Sequence, residues 1–191
     1  LVMTRSRRSD LAAIAGVAIG LAAAQRVGEL VWSRRHERRL RARSAVEHGR
    51  EHYPVMVALH VAWLAGTLWE ASWEASWKAS SMASGRSRVP RGARLAAAAA
   101  FVAVQPLRYW AIATLGDRWT TRVLVPPGEP PLAVGPYRHL DHPNYAVVAV
   151  ELAALPLALG AWRTALWASI ADAAVLRTRI RVEHRALRTS A

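Results

Sequence analysis

The chain has 191 residues, 53% of them hydrophobic, and a formal net charge of +13 carried almost wholly by arginine, because Lys78 is its one lysine. That length suits one domain with a full core, and apolar blocks alternating with arginine-rich blocks describe a helical membrane protein rather than a nucleic-acid binder with arginine spread over a polar globule. Cysteine is absent, which excludes disulfides, thiolate metal sites and cysteine nucleophiles.

Residues 1–10 carry Arg5, Arg7 and Arg8 ahead of the apolar run Leu11 to Ala24, a pattern shared with signal peptides. The run continues as QRVGELVW to Trp32, so the better reading is a first membrane span of about 22 residues. Arg26 and Glu29 are three apart and share a helix face, where they can pair at the interface or line a polar cavity. Ser33 to His52 holds seven arginines against three glutamates and is predicted to be a solvated helix lying along headgroups.

Tyr53 to Trp69 is the second apolar run, with His60 embedded in it as a packing residue. The tetrads WEAS, WEAS and WKAS follow at Trp69, Trp73 and Trp77. A period of four drifts slowly around a helix, so the tryptophans form a stripe suited to the membrane interface, and no chemistry is assigned to them. Ser84 to Arg94 is a basic linker, and Leu95 to Leu115 is a third span interrupted by Gln105, Pro106 and Arg108. The proline kinks the helix and frees a carbonyl, which permits a buried polar pocket there. Arg118 to Val125 alternates and is β-branched, and the proline-rich turn after it predicts a short hairpin with Leu132 to Val134.

Gly135 to Tyr145, GPYRHLDHPNY, packs two histidines, two tyrosines, two prolines, an arginine, an aspartate and an asparagine into eleven residues between apolar segments. The prolines at 136 and 143 push Gly135 and His142 out of helical geometry, so the stretch is a loop. A polar loop between membrane helices is tolerated at the surface or against an enclosed cavity. Asn144 is a candidate cap for a helix beginning near Tyr145. That fourth span, Tyr145 to Leu159, carries Glu151, and the short turn Gly160 to Arg163 returns the chain antiparallel into a fifth, Thr164 to Leu176, with Asp172 inside it. Helical character continues through TRIRVEHRAL, so this last helix leaves the membrane on the face that holds the polar loop. The fold expected is an all-α integral-membrane bundle of about five helices. The charge bias puts the 33–52 block, the 116–144 loop and the C-terminal tail on the cytoplasmic side, with the N-terminal arginines and the 86–94 linker opposite.

Arg179 and Glu183 are four apart on one face of the last helix. With Tyr137, His142, Asn144 and Tyr145 they offer a carboxylate for an amine or hydroxyl, an arginine for an anion and aromatic faces for a cation. There is no glycine-rich phosphate loop and no serine or cysteine elbow, and His139 and His142 lack the acidic partner of a metal site, so no metal is assigned.

GPYRHLDHPNY, the apolar helix containing PLALGAW, and RIRVEHRAL together resemble the isoprenylcysteine carboxyl methyltransferase family, over about residues 105–187. The family has a G-x-Y-x-x-x-R-H-P-x-Y loop and a later R-x-x-x-E helix; QRVGELVWSRRHERRL and AVEHGREHYPVMVALH extend the likeness to its small bacterial members. The chain departs from the pattern at Asp141, where arginine is usual, and at His184, where a second glutamate is usual. The resemblance implies S-adenosylmethionine as cofactor, held at the cytoplasmic face between the loop and the last helix. Gly135, Tyr137, His142, Pro143, Asn144, Tyr145 and Glu183 are implied contacts, with backbone from Pro131 and Leu132, and Arg179 matches the arginine that faces the methyl acceptor. A carboxylate acceptor needs no base, whereas a hydroxyl acceptor needs His142, His184 or its own acidity as an enol or phenol. On this view residues 1–191 form one methyltransferase domain, 1–94 supplying N-terminal helices and basic loops and 95–191 the cofactor-binding part.

The small bacterial relatives imply a bacterial inner-membrane enzyme O-methylating a lipophilic phenol or enol, of the alkylpyrone or alkylresorcinol type, that enters from the bilayer. A prenylcysteine carboxylate or phospholipid acceptor, or a non-catalytic membrane scaffold, are the alternatives. Membrane lipids are the other expected partners; neither nucleic acid nor a protein partner is indicated.

Overall fold

Between Leu11 and Trp32 the sequence has neither proline nor strand-like alternation, and α1 (Val2–Ala42) runs unbroken into the arginine block. In the computed structural model the described residues are 2–80, 88–130 and 132–190, with side chains for 13–74, 88–130 and 132–188. Residues 33–42 of the arginine block therefore continue the first span, and residues 43–52 form a turn, a short strand and a 3-10 turn rather than a helix along the headgroups. Ser33, His36 and Leu40 explain why, since this three-and-four spacing gives one buried stripe among the arginines. Ser33 Oγ lies 3.0 Å from Thr121 Oγ1, and His36 Nδ1 donates to the Trp119 carbonyl at 2.8 Å.

After α1 the chain forms β1 (Val46–His48), then α2 (Tyr53–Ser80). A third span is divided at Val104, just ahead of Pro106, into α3 (Arg91–Ala103) and α4 (Gln105–Leu115). Then come β2 (Val123–Val125), the polar loop, α5 (Pro143–Leu159) and α6 (Trp162–Ser190). The expected local hairpin does not form: β2 pairs antiparallel with β1, Val46 opposite Val125 and His48 opposite Val123. Leu132 to Val134 is irregular, and β1 is the edge that the end of α1 brings alongside.

By length and composition, Ala13–Ala42, Arg50–Glu74 and Arg91–Arg118 can each cross a membrane; α5 is a shorter apolar helix. Its 17 residues rise about 25 Å, a little less than a hydrocarbon core, which keeps the loop before it close to the lipid boundary. Ile14, Val17, Leu21, Val61, Leu95 and Ile170 are exposed along the spans, as lipid-facing side chains of an integral-membrane bundle should be. Trp69 and Trp73 are exposed on α2, whereas the side chain of Trp77 falls outside the described residues.

Helix α5 is apolar on all sides and occupies the centre, touching α2, α3, α4 and α6. Fully buried Trp63 packs with Ala22, Leu59, Leu152, Leu155 and Ala168. Its indole Nε1 donates to the Leu152 carbonyl at 3.1 Å. That carbonyl lies four residues before Pro156, which has no N–H to offer it, so the indole replaces the helical donor that proline removed. At the turn into α6, Gly160 adopts φ 87°, and Glu70 of α2 accepts from the backbone N–H groups of Arg163 and Thr164 at 3.0 and 2.8 Å. Glu70 also takes the Thr164 hydroxyl at 2.9 Å, so a carboxylate from another helix caps α6 at the positive end of its dipole.

Candidate active site

Pro136 and Pro143 shape the loop as their chemistry requires. Gly135 sits at φ 57°, and a Cβ there would fall 2.7 Å from Thr114 Oγ1, so glycine is needed where the loop meets α4. A single 3-10 turn, Gly135–Arg138, follows, and His142 is non-helical, at φ -133° and ψ 65°, before Pro143 opens α5 at its first position. Asn144 is thus inside the first turn and does not cap it; its Oδ1 is buried with no partner among the described residues.

Loop and tail meet directly. Tyr145 Oη donates to Glu183 Oε2 at 2.7 Å and accepts from Arg179 Nε at 3.1 Å. His142 stacks on Tyr145 with centroids 5.0 Å apart, and its Nε2 lies 3.2 Å from Nε2 of exposed His184. Arg179, 7% exposed, also donates from Nη1 to the Thr121 carbonyl at 2.8 Å and contacts Met56 Sδ at 3.1 Å. Among the described residues its Nη2 keeps both N–H groups unengaged.

A cavity of about 370 Å³ opens beside this clasp and runs between α1, α2, α5 and α6. Tyr137, His142, Asn144, Tyr145, Arg179 and Glu183 line one end. Burial, reinforced by the negative charge of Glu183, raises the Tyr137 phenol above its ordinary value, so it stays protonated and acts as a donor. Val27, Val57, Leu64, Val148 and Leu176 form apolar walls.

The deep end is polar again. Arg108 donates from Nε to Glu29 Oε1 at 2.5 Å and from Nη1 to Glu151 Oε2 at 3.0 Å, while Arg26 bridges Glu29 at 3.1 Å and Glu151 at 2.5 Å. Gln105 adds a 2.7 Å bond to Glu151 and receives one from Gln25 at 3.1 Å. Arg26 and Glu29 take both roles open to them, pairing with each other and lining the buried polar cavity, with Arg108 beside them and Gln105 one layer behind. His60 packs edge-on against Trp63 and also lines this end.

Of the residues singled out in the sequence, Tyr137, His142, Asn144, Tyr145, Arg179 and Glu183 converge on the cavity. Gly135 does not reach it, because its backbone is pressed on Thr114 and Trp110 of α4; buried Pro143 and half-buried Leu132 are also off its wall. Pro131 lies outside the described residues. Thr121 and Met56, which fix Arg179, were hidden: Thr121 sits in a stretch that reads as a strand, and Met56 looks like one more apolar residue. No group of three or more metal-ligating side chains occurs among the described residues.

The sequence model of the isoprenylcysteine carboxyl methyltransferase (ICMT) family matches residues 96–189. The chain is also 34% identical over 169 residues to the uncharacterized protein YpbQ of Bacillus subtilis (strain 168), a match covering 88% of this chain and 94% of that protein. No solved structure matches.

Proposed function

The chain belongs to the isoprenylcysteine carboxyl methyltransferase family, and we propose that it moves a methyl group from S-adenosylmethionine to the phenol or enol hydroxyl of a lipid-tailed small molecule, of the alkylpyrone or alkylresorcinol type. Membership makes it a membrane methyltransferase; donor, acceptor and site residues are the proposal. The observation that carries it is the contact of Tyr145 with Glu183 and Arg179 at the mouth of an apolar-walled cavity.

The residues present fit the cofactor. Buried Asn144 Oδ1 has an unmet need for a donor, which an ammonium or ribose hydroxyl provides, and Glu183 can share the same load. Tyr137 and the stacked His142 and Tyr145 give aromatic faces to a sulfonium or an adenine. The cavity volume lies at the lower end of the roughly 300–1,000 Å³ common for small-molecule sites.

Bound S-adenosylmethionine supplies an electrophilic methyl on a positively charged sulfur. Arg179, pinned by Tyr145 and the Thr121 carbonyl, directs Nη2 at the acceptor oxygen and fixes its approach. His142 takes the hydroxyl proton and passes it along the 3.2 Å contact to His184, which opens to water. The apolar walls exclude solvent and admit the tail from the bilayer. Residues 95–191 hold the cofactor, while Met56, His60 and Arg26 from the first part of the chain face the acceptor. Arg34, Arg35 and Arg38 at the end of α1 share the site's side of the membrane, which orients it to the cytoplasm of a bacterial cell.

The test uses the full chain in detergent micelles. S-adenosylhomocysteine at a hundred times its dissociation constant should add about 2.7 kcal/mol, raising Tm by about 5–10 °C. Glu183→Gln should weaken that binding about tenfold. Labelled methyl should appear in an alkylresorcinol. Absence of any Tm shift at millimolar ligand refutes the reading, and label in a prenylcysteine carboxylate alone transfers it to that acceptor.

A further inference from the structure

Four charged groups at the deep end balance one another: Arg26 and Arg108 against Glu29 and Glu151, each held by the bonds described above. Asp172 is a fifth ionisable group, and no described residue pairs with it. Its side chain is 3% exposed and lines the cavity, and among the described residues it has neither a hydrogen-bond nor an ion-pair partner. Arg26 acts on it only at a distance. A carboxyl that meets no protein partner and opens only onto the cavity adds nothing to the stability of the fold.

His60 gives the same indication from α2. Its Nδ1 lies 2.9 Å from the Met56 carbonyl, which can only accept, so Nδ1 carries the proton. The neutral ring then leaves Nε2 as an acceptor without a partner among the described residues, in a side chain on the same cavity wall. Two unmet acceptors therefore face one end of the cavity.

We propose that Asp172 and His60 form a headgroup subsite for a second hydroxyl of the methyl acceptor, selecting a diphenol or hydroxy-enol over both a monophenol and a carboxylate. The inference rests on the methyl-transfer reading for the position of the first hydroxyl. Asp172 precedes Arg179 by seven residues, so it lies about 10 Å deeper along α6. Two hydroxyls held meta on one ring, roughly 5 Å apart, with a hydrogen bond of about 2.8 Å at each end, span about the same distance. A carboxylate headgroup would place negative charge against Asp172 and leave both acceptors unmet.

The experiment measures equilibrium binding by quenching of tryptophan fluorescence, Trp119 being a cavity residue, in the full chain in micelles. Three probes of one tail length are compared: 5-pentadecylresorcinol, 3-pentadecylphenol and a saturated fatty acid. The wild type should bind the resorcinol about 10–100-fold more tightly than the phenol. Asp172→Leu should cut that margin below about threefold while leaving phenol and S-adenosylhomocysteine affinities as they were. The near-isosteric Asp172→Asn, which cannot disturb packing, should retain part of the margin. An undiminished margin in Asp172→Leu, no margin in the wild type, or tightest binding of the fatty acid overturns the subsite. A margin that depends on Asp172 with no methyl transferred keeps the subsite and removes the methyl-transfer reading; methyl transfer indifferent to Asp172 does the reverse.

Discussion

Trp63→Phe tests whether the indole stands in for the donor that Pro156 lacks. The substitution leaves the Leu152 carbonyl without a partner at membrane depth, costing about 1–3 kcal/mol, and the smaller ring at a fully buried position costs about 1–2 kcal/mol more. Pro156→Ala separates the two costs, because alanine restores an N–H four residues after Leu152. In that background Trp63→Phe should lose only its packing contribution, so the double-variant cycle should show a coupling of about 1–3 kcal/mol. Unfolding in mixed micelles gives the four stabilities, each kcal/mol moving Tm by about 2–4 °C. Additive costs, agreeing within about 0.5 kcal/mol, would refute the argument that the two residues share one carbonyl.

Arg108→Met should destabilise by about 3–5 kcal/mol, because among the described residues Arg26 is then the one cation left between Glu29 and Glu151; adding Glu29→Leu should recover part of the loss in the same unfolding assay. Glu70→Ala removes the acceptor for three donors at the start of α6 and should cost about 1–2 kcal/mol, read as faster hydrogen exchange at Arg163 and Thr164. Burial alone would raise the carboxyl of Glu47, but hydrogen bonds and charge from Arg41 and Arg122 outweigh it and hold it below the ordinary range. A depressed carboxylate stabilises the fold above its unfolded pKa and loses that contribution as pH falls through the folded value. Acid titration should therefore lower Tm in the wild type more than in Glu47→Gln, and equal acid sensitivity of the two would contradict this.

The spans were legible because alanine and leucine runs of membrane length have few other folds available, and the site loop because its prolines and ligand-type side chains stand out from apolar neighbours. The meeting of Tyr145 with Arg179 and Glu183 followed from two intervening helices returning the chain to one face. Partnerships across the bundle were not legible. Arg26, Glu29, Arg108 and Glu151 each stand out in apolar surroundings, but which carboxylate meets which guanidinium depends on helix packing. One clue was available: two cations and two anions at membrane depth imply mutual neutralisation. The β1–β2 pairing was hidden because a three-residue strand carries almost no pattern, and Glu70 because it sits in a tetrad repeat that draws the eye to tryptophan. The α1 extension was obscured by its arginines, among which the Ser33, His36 and Leu40 spacing is a short and mostly polar stripe.

Both ends of the cavity are mounted on the same two rods. Helix α5 carries Tyr145 and, behind the wall, the Glu151 that holds Arg26 and Arg108, and α6 carries Asp172, Arg179 and Glu183. Their axial intervals are multiples of a 1.5 Å rise and have no loop in which to flex. The chamber thus works as a fixed gauge: a guest of another length must be met by different side chains, since no hinge within either rod can adjust the gap.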